Sequence, residues 1–211
     1  MDKIELPEIA NETNKYQRVI LFGIASYAVY TIAQNFHFGD ASYLEMSAID
    51  SATPFIPVSI WPYVLLYPFN VGCFLYFKQY RTYNLIGYAF LFMQAFASVI
   101  FILFPVAYPR EFFPLPMDNS ISTKMFELIR HLDQPTNCLP SLHVANCFMM
   151  SYGFLLDNKR LFLPAILLTL IISFSTLTTK QHYFVDVISG FAMASIIFFV
   201  FNKFFIIRKN T

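Results

Sequence analysis

Apolar residues along this chain gather in six long runs separated by short polar segments. The runs cover about Val19 to Phe36, Phe55 to Phe77, Tyr83 to Phe104, Leu139 to Leu156, Leu161 to Leu177 and Tyr183 to Ile207. Each is long enough to cross about 30 Å of hydrocarbon as a helix. The pattern therefore predicts an all-α fold, a six-span transmembrane helical bundle. Pro57, Pro62 and Pro68 interrupt the second run, so that span is expected to be kinked or partly interfacial.

Two stretches between the runs follow a different rhythm. From Asn119 to Leu132, Met125, Phe126, Leu128, Ile129 and Leu132 recur at helical spacing between Lys124, Glu127 and Arg130. This predicts an amphipathic helix in the membrane interface, between spans three and four, as an anchor more than a lid. The stretch Ala41 to Asp50 reads similarly, with Asp40, Glu45 and Asp50 on its wet side. No repeat and no linker interrupts the chain, which predicts a single membrane domain over residues 1–211. Residues 1–17 hold four acids and no small-residue cleavage site, so the first span is expected to be retained behind a cytoplasmic segment.

Composition agrees with a chain dissolved in lipid: 57% of the residues are apolar and 13% charged, against about 25% charged in soluble domains. The 26 phenylalanines and 13 tyrosines read as lipid-facing surface and interfacial belts. The bilayer is thus the expected partner. A net charge of +1 without any basic run gives no argument for nucleic acid. Cys73, Cys138 and Cys147 form no CxxC pair, so neither a zinc site nor a disulfide framework is indicated.

Lysine and arginine counts set the expected orientation. Lys3, Lys15, Arg18, Lys78, Arg81, Lys159, Arg160, Lys203, Arg208 and Lys209 fall on the side of both termini. Only Arg110, Lys124, Arg130 and Lys180 fall on the other. The excess places the termini in the cytoplasm and the opposite face toward the periplasm, exterior or lumen.

That opposite face receives three segments rich in chemistry. They are Pro105 to Arg110, Cys138 to His143, and Lys180 to Asp186. His182 and Asp186 are four apart and share a face if the sixth helix starts there. A carboxylate on one ring nitrogen fixes the tautomer and leaves the other nitrogen free to attack. His143 can carry a proton to a leaving oxygen. Ser141 and the first amides of the fourth helix lie where the helix dipole favours an anion, although a simple helix cap is the rival role. Arg110 and Lys180 supply positive charge for phosphoryl oxygens, arginine through a bidentate fork; interfacial anchoring is their rival role. His131 and Asp133 belong to no spacing with a mechanism and read as structural. Signatures of nucleotide, nicotinamide, zinc-protease and serine-hydrolase sites do not occur.

These residues resemble the signature of the type 2 phosphatidic acid phosphatase superfamily, KxxxxxxRP, PSGH and SRxxxxxHxxxD. The second block reads Pro140-Ser141-Leu142-His143; the third reads Ser175-Thr176, five residues, His182 and Asp186. The resemblance implies metal-free phosphoryl transfer without a cofactor. His182 would be the nucleophile, Asp186 its orienting partner and His143 the acid that protonates the departing alcohol. Leu103 stands at the first block's lysine, Glu111 at its proline, and Thr176 at the third block's arginine. Leu142 replaces the glycine of PSGH, and PSLH followed by HYFVDV is similar to the inositol phosphorylceramide synthase branch.

Three functions follow as expectations. The first is a lipid phosphate phosphatase at the outer leaflet, acting through a phosphohistidine. The second keeps that intermediate but passes the group to a lipid alcohol, as in inositol phosphorylceramide or sphingomyelin synthases. The third is a non-enzymatic transporter or scaffold, since ionisable residues in membranes also mark transport pathways.

Overall fold

A computed structural model describes residues 3–11 and 13–208. Lys209, counted among the cations of the terminal side, and Asp2 and Glu12, two acids of the N-terminal segment, lie outside the described residues. In chain order the elements are β1 (Ile4–Pro7), α1 (Lys15–Asn35), β2 (Ser42–Tyr43), α2 (Ala48–Ala52), α3 (Ile60–Val64), α4 (Leu66–Tyr76) and α5 (Tyr80–Leu103). There follow β3 (Val106–Ala107), α6 (Ile121–Leu132), α7 (Leu142–Asp157), α8 (Phe162–Thr178), α9 (Phe184–Phe204) and β4 (Phe205–Arg208).

The fold is mostly helical, and among the described residues four helical stretches are long and apolar enough to cross a membrane. These are Pro57–Tyr76, Tyr80–Leu103, Lys159–Thr178 and Phe184–Phe204. Their apolar side chains do not all turn inward. Phe92, Phe96 and Val99 of α5, Leu167, Leu170 and Ile171 of α8, and Ile188, Ile196 and Phe199 of α9 are exposed. Bands of large apolar groups this continuous are untenable against water and natural against lipid tails. The protein is membrane-embedded.

The two remaining expected spans, α1 and α7, fall outside that measure of length and apolarity. α7 has 16 residues, about 24 Å at 1.5 Å per residue, less than the hydrocarbon thickness. It is the hub of the bundle, packed against α4, α5, α8 and α9. Ala145, Cys147, Met149, Met150 and Ser151 are fully buried within it. Gly153 makes one of these approaches possible: a Cβ there would lie 2.3 Å from the Phe77 ring. α1 covers the first expected span and packs on α5 and α4.

The second run is broken, as its prolines predict. A 3-10 turn at Pro57–Ser59 leads into α3, and Leu65 separates α3 from α4. Pro68 has no N–H for the carbonyl of Val64, so the helical ladder cannot run through this point unbroken. The break turns α3 toward α6, where Ile60 and Tyr63 pack with Phe126 and Ile129. Trp61 Nε1 donates to Ser122 Oγ across the same contact at 3.0 Å. α6 thus occupies the segment predicted as amphipathic, with Phe126 and Ile129 buried and Ile121, Leu128 and Leu132 exposed.

Two short parallel strand pairs mark the two ends of the bundle. β1 pairs with β4, which joins the N-terminal region to the end of α9. β2 pairs with β3 beyond the other ends of α1 and α5. The loops carrying the candidate chemistry lie at this second end, where α9 begins.

Candidate active site

Three loops that are distant in sequence are stitched together by backbone and phenol hydrogen bonds. Cys138 N donates to Val106 O at 3.1 Å, and Tyr108 N to Pro135 O at 3.1 Å. Tyr183 extends this net, its hydroxyl donating to Ala107 O at 3.0 Å and accepting from Leu44 N at 3.2 Å. Ser141 N donates to the main-chain oxygen of Asp186 at 3.1 Å. A Cβ on Gly190 would lie 2.4 Å from Ser141 O. Only glycine lets α9 come this close to the start of α7.

The sequence between α8 and α9 explains the placement of His182. α8 ends with Lys180 in the left-handed region at φ 53, a conformation that costs a non-glycine residue about 1–2 kcal/mol. Gln181 N and His182 N then both turn back onto Thr176 O, at 3.1 and 3.3 Å. The Lys180 ammonium donates to Asp50 O at 2.7 Å and lies 4.9 Å over the Phe113 ring. Burial pulls it below the ordinary lysine range, and the charge of Asp50 acts the other way. Asp50 also accepts from Phe184 N at 2.7 Å, so α2 clamps the first turn of α9. Sequence reading put Asp50 on a wet face; it is 4% exposed.

His182 precedes α9 and Asp186 lies in its first turn. Asp186 Oδ2 accepts from Tyr183 N at 2.8 Å and stands 3.2 Å from His182 Nδ1. The carbonyl of Cys138 is 3.1 Å from the same Nδ1. Both neighbours are acceptors, so Nδ1 carries the proton and Nε2 keeps its lone pair.

His143 opens α7 behind the Ser141 cap, whose hydroxyl accepts from Val144 N. Its ring packs on Tyr63 at 4.2 Å and stands 5.8 Å from the His182 ring. His143 Nε2 is buried and has no hydrogen-bond partner.

Both imidazoles line one polar cleft, together with Tyr30, Arg110, Asp133, Gln134, Asn137, Cys138, Leu142 and Gln181. The cleft is closed down to about 10 Å³, at the lower limit for one water. Arg110 reaches it but is already engaged: its Nη2 is 3.2 Å from Asp133 Oδ2, and Nη1 donates to Asp133 O. Tyr30 and Tyr63 also donate to the Asp133 carboxylate.

Of the residues singled out from sequence, the structure thus brings His143, His182, Asp186 and Arg110 together. Ser141 and Lys180 do not line the cleft; one caps α7 and the other tethers the loop to Asp50. Asp133, read from sequence as structural, lines it as the partner of Arg110; Asn137 and Gln181 line it too, and no motif singles them out. The usable signal was adjacency, since Gln181 precedes His182 and Asn137 lies four residues before Ser141.

A metal has one place to go among the described residues. Cys138, His182 and Asp186 bring a thiol, an imidazole and a carboxylate within 4.8 Å of one another. Burial and the charge of Asp186 push the Cys138 thiol well above its usual range. A protonated thiol is a poor ligand. The imidazole and carboxylate are already hydrogen-bonded to each other, and the thiol donates to Pro135 O and Gln181 O, which accounts for their proximity.

Comparison with curated proteins finds no match. The family model of the PAP2 superfamily matches residues 59–200, which hold α3 to most of α9 and every group lining the cleft except Tyr30. The chain belongs to the PAP2 superfamily, whose chemistry is of the phosphatase and phosphotransferase type.

Proposed function

We propose that this protein is a membrane phosphatase that removes the phosphoryl group of a lipid phosphate through a phosphohistidine on His182. The observation that carries the reading is the pair of imidazoles. One has its Nδ1 held by Asp186 and Cys138 O, and the other has an unpartnered Nε2 in the same cleft. The ring centroids stand 5.8 Å apart, so the two imidazoles border the same small cleft.

In the first step His182 Nε2 attacks phosphorus and the bond to the lipid oxygen breaks. His143, protonated for this step, gives its proton to that oxygen, and the lipid alcohol leaves. In the second, a water loses a proton to His143 and attacks the same phosphorus. The P–N bond breaks, the electron pair returns to Nε2, and inorganic phosphate departs. Asp186 stabilises the charge that His182 acquires, and Arg110 holds phosphoryl oxygens. Ser141 and Lys180 serve by position, as the cap of α7 and the tether of the loop.

A lipid substrate is supported by a second cavity of about 1220 Å³ along the length of α9. Phe92, Phe96, Ala192, Ile196 and Val200 line it, and Leu139, Pro140 and Val185 form the end near the cleft. These are chain neighbours of Cys138, Ser141 and Asp186. An acyl chain lying here would bring its headgroup toward the histidines. In our reading the chain is a single six-span membrane unit with cytoplasmic termini, its cleft on the extracytoplasmic face and α6 in the interface.

The test is to give the purified protein lipid phosphate labelled at phosphorus, in detergent, beside His182→Ala. Release of labelled inorganic phosphate, lost in the variant, supports the phosphatase. A new labelled lipid means that an alcohol replaces water in the second step. Equal turnover in both proteins removes His182 from the chemistry, and none in either points to a transporter or scaffold.

A further inference from the structure

The cleft contains more unsatisfied polar groups than its mechanism uses. Asn137 is 5% exposed, yet neither Nδ2 nor Oδ1 has a hydrogen-bond partner. Its backbone is fixed by a bridge to Val106, so the side chain is presented by an ordered segment. Gln181 is 1% exposed and donates from Nε2 to Thr179 O at 3.2 Å. That bond sets the amide orientation, because a flipped amide would bring two carbonyl oxygens together. Gln181 Oε1 is therefore an acceptor, and it too has no partner. The Nε of Arg110 is likewise unpaired.

Buried polar groups without partners are rare, because each costs about 1–3 kcal/mol of desolvation. Four such groups, with His143 Nε2 as the fifth, belong to residues lining one cleft. They are of two kinds. Arg110 Nε and Asn137 Nδ2 are donors, suited to an oxyanion; Gln181 Oε1 and Asn137 Oδ1 accept only, and are suited to a hydroxyl. The cleft is also short of cations, since Lys180 is engaged with Asp50 and Arg110 with Asp133.

We propose that Asn137 and Gln181 form a two-amide subsite for the reaction assigned above. Asn137 Nδ2 donates to a non-bridging phosphoryl oxygen, in the place a second cation would fill. Gln181 Oε1 accepts from one O–H of the water that attacks phosphohistidine in the second step, while the other proton passes to His143. The inference rests on the phosphohistidine reading. It adds the ligand atom each amide takes and the step at which each is felt.

The two halves separate kinetically. Orthovanadate, which mimics a five-coordinate phosphoryl group on a nucleophile, is the probe for the first. Asn137→Asp and Asn137→Leu keep the size of the side chain and remove its donor, and detergent melting reports which of them folds as the parent does. Vanadate inhibition of the folded variant is expected to weaken about 10- to 100-fold, the effect of losing one hydrogen bond to a charged group. For the second half, Gln181→Leu is expected to keep the rapid release of lipid alcohol and slow release of phosphate about tenfold or more. Acid-labile phosphate then accumulates on the protein.

Unchanged vanadate sensitivity in the folded Asn137 variant overturns the phosphoryl contact. Equal slowing of both steps in Gln181→Leu overturns the acceptor contact. If the parent itself forms no acid-labile phosphoprotein, the phosphohistidine reading falls and the subsite with it. A phosphorylated parent with insensitive variants removes the subsite alone.

Discussion

His182 and Asp186 meet through a 3.2 Å contact between Nδ1 and Oδ2 although they do not share a helical face. His182 lies outside α9 and Asp186 within its first turn, where the same oxygen accepts from Tyr183 N. The carboxylate thus ends one helix's unsatisfied amides and aims the imidazole with one group.

This double use gives the first prediction. Asp186→Asn, with its amide oxygen in the place of Oδ2, still accepts from Tyr183 N and His182 Nδ1 but loses the charge that stabilises a charged His182. Turnover is expected to fall about 10²- to 10⁴-fold. Melting in detergent is expected to change little. Turnover within tenfold of the parent would remove Asp186 from the mechanism.

Much of the site was legible because short motifs fix chemistry locally. PSLH puts a serine cap and a histidine on the first turn of α7, and HxxxD puts an acceptor within reach of an imidazole. What was not legible depends on contacts from far along the chain. Asp133 acquires its role from Arg110, Tyr30 and Tyr63, residues 23 to 103 positions away. Lys180 looked like a free cation because nothing local announces Asp50, 130 positions upstream. The helices were legible from apolar runs and the break in the second run from its prolines, but the role of α7 as the hub depends on the four helices packed against it.

Asp133 occupies Arg110 in the closed cleft, and removing it has two opposed effects. The pair is mostly buried, with side chains 10% and 14% exposed. Asp133→Ala strands the guanidinium and two phenols, and is expected to lower stability by about 1–3 kcal/mol. The same change frees a cation for anions, so inorganic phosphate is expected to inhibit at about tenfold lower concentration. Product-inhibition titrations beside detergent melting test both. A variant that melts lower and binds phosphate less tightly would mean that Asp133 builds the site and does not occupy it.

Lys180 offers a test of tether against ligand. Lys180→Met keeps an unbranched side chain of similar length and removes the ammonium that holds Asp50 O and lies over Phe113. The loop that carries His182 then loses a fixed point. Stability is expected to drop by about 1 kcal/mol, with a lower kcat and little change in KM. A KM raised tenfold at unchanged melting would show the ammonium reaching the substrate.

Gly190 tests whether the approach of α9 to α7 sets the site. An added Cβ meets Ser141 O at 2.4 Å and the Val144 Cβ at 3.3 Å, and a main-chain oxygen cannot swing aside as a side chain can. α9 must back away, carrying Asp186 one turn earlier on the same helix. Gly190→Ala is expected to cost about 1–3 kcal/mol of stability and about 10²-fold in kcat, the scale for a displacement near 1 Å. Gly72→Ala is the comparison, because a Cβ there meets nothing within 4 Å. That change is expected to be neutral or stabilising by about 0.5–1 kcal/mol, as alanine for glycine in an open helix position. If Gly190→Ala melts and turns over like Gly72→Ala, the spacing of the two helices does not govern the alignment of His182.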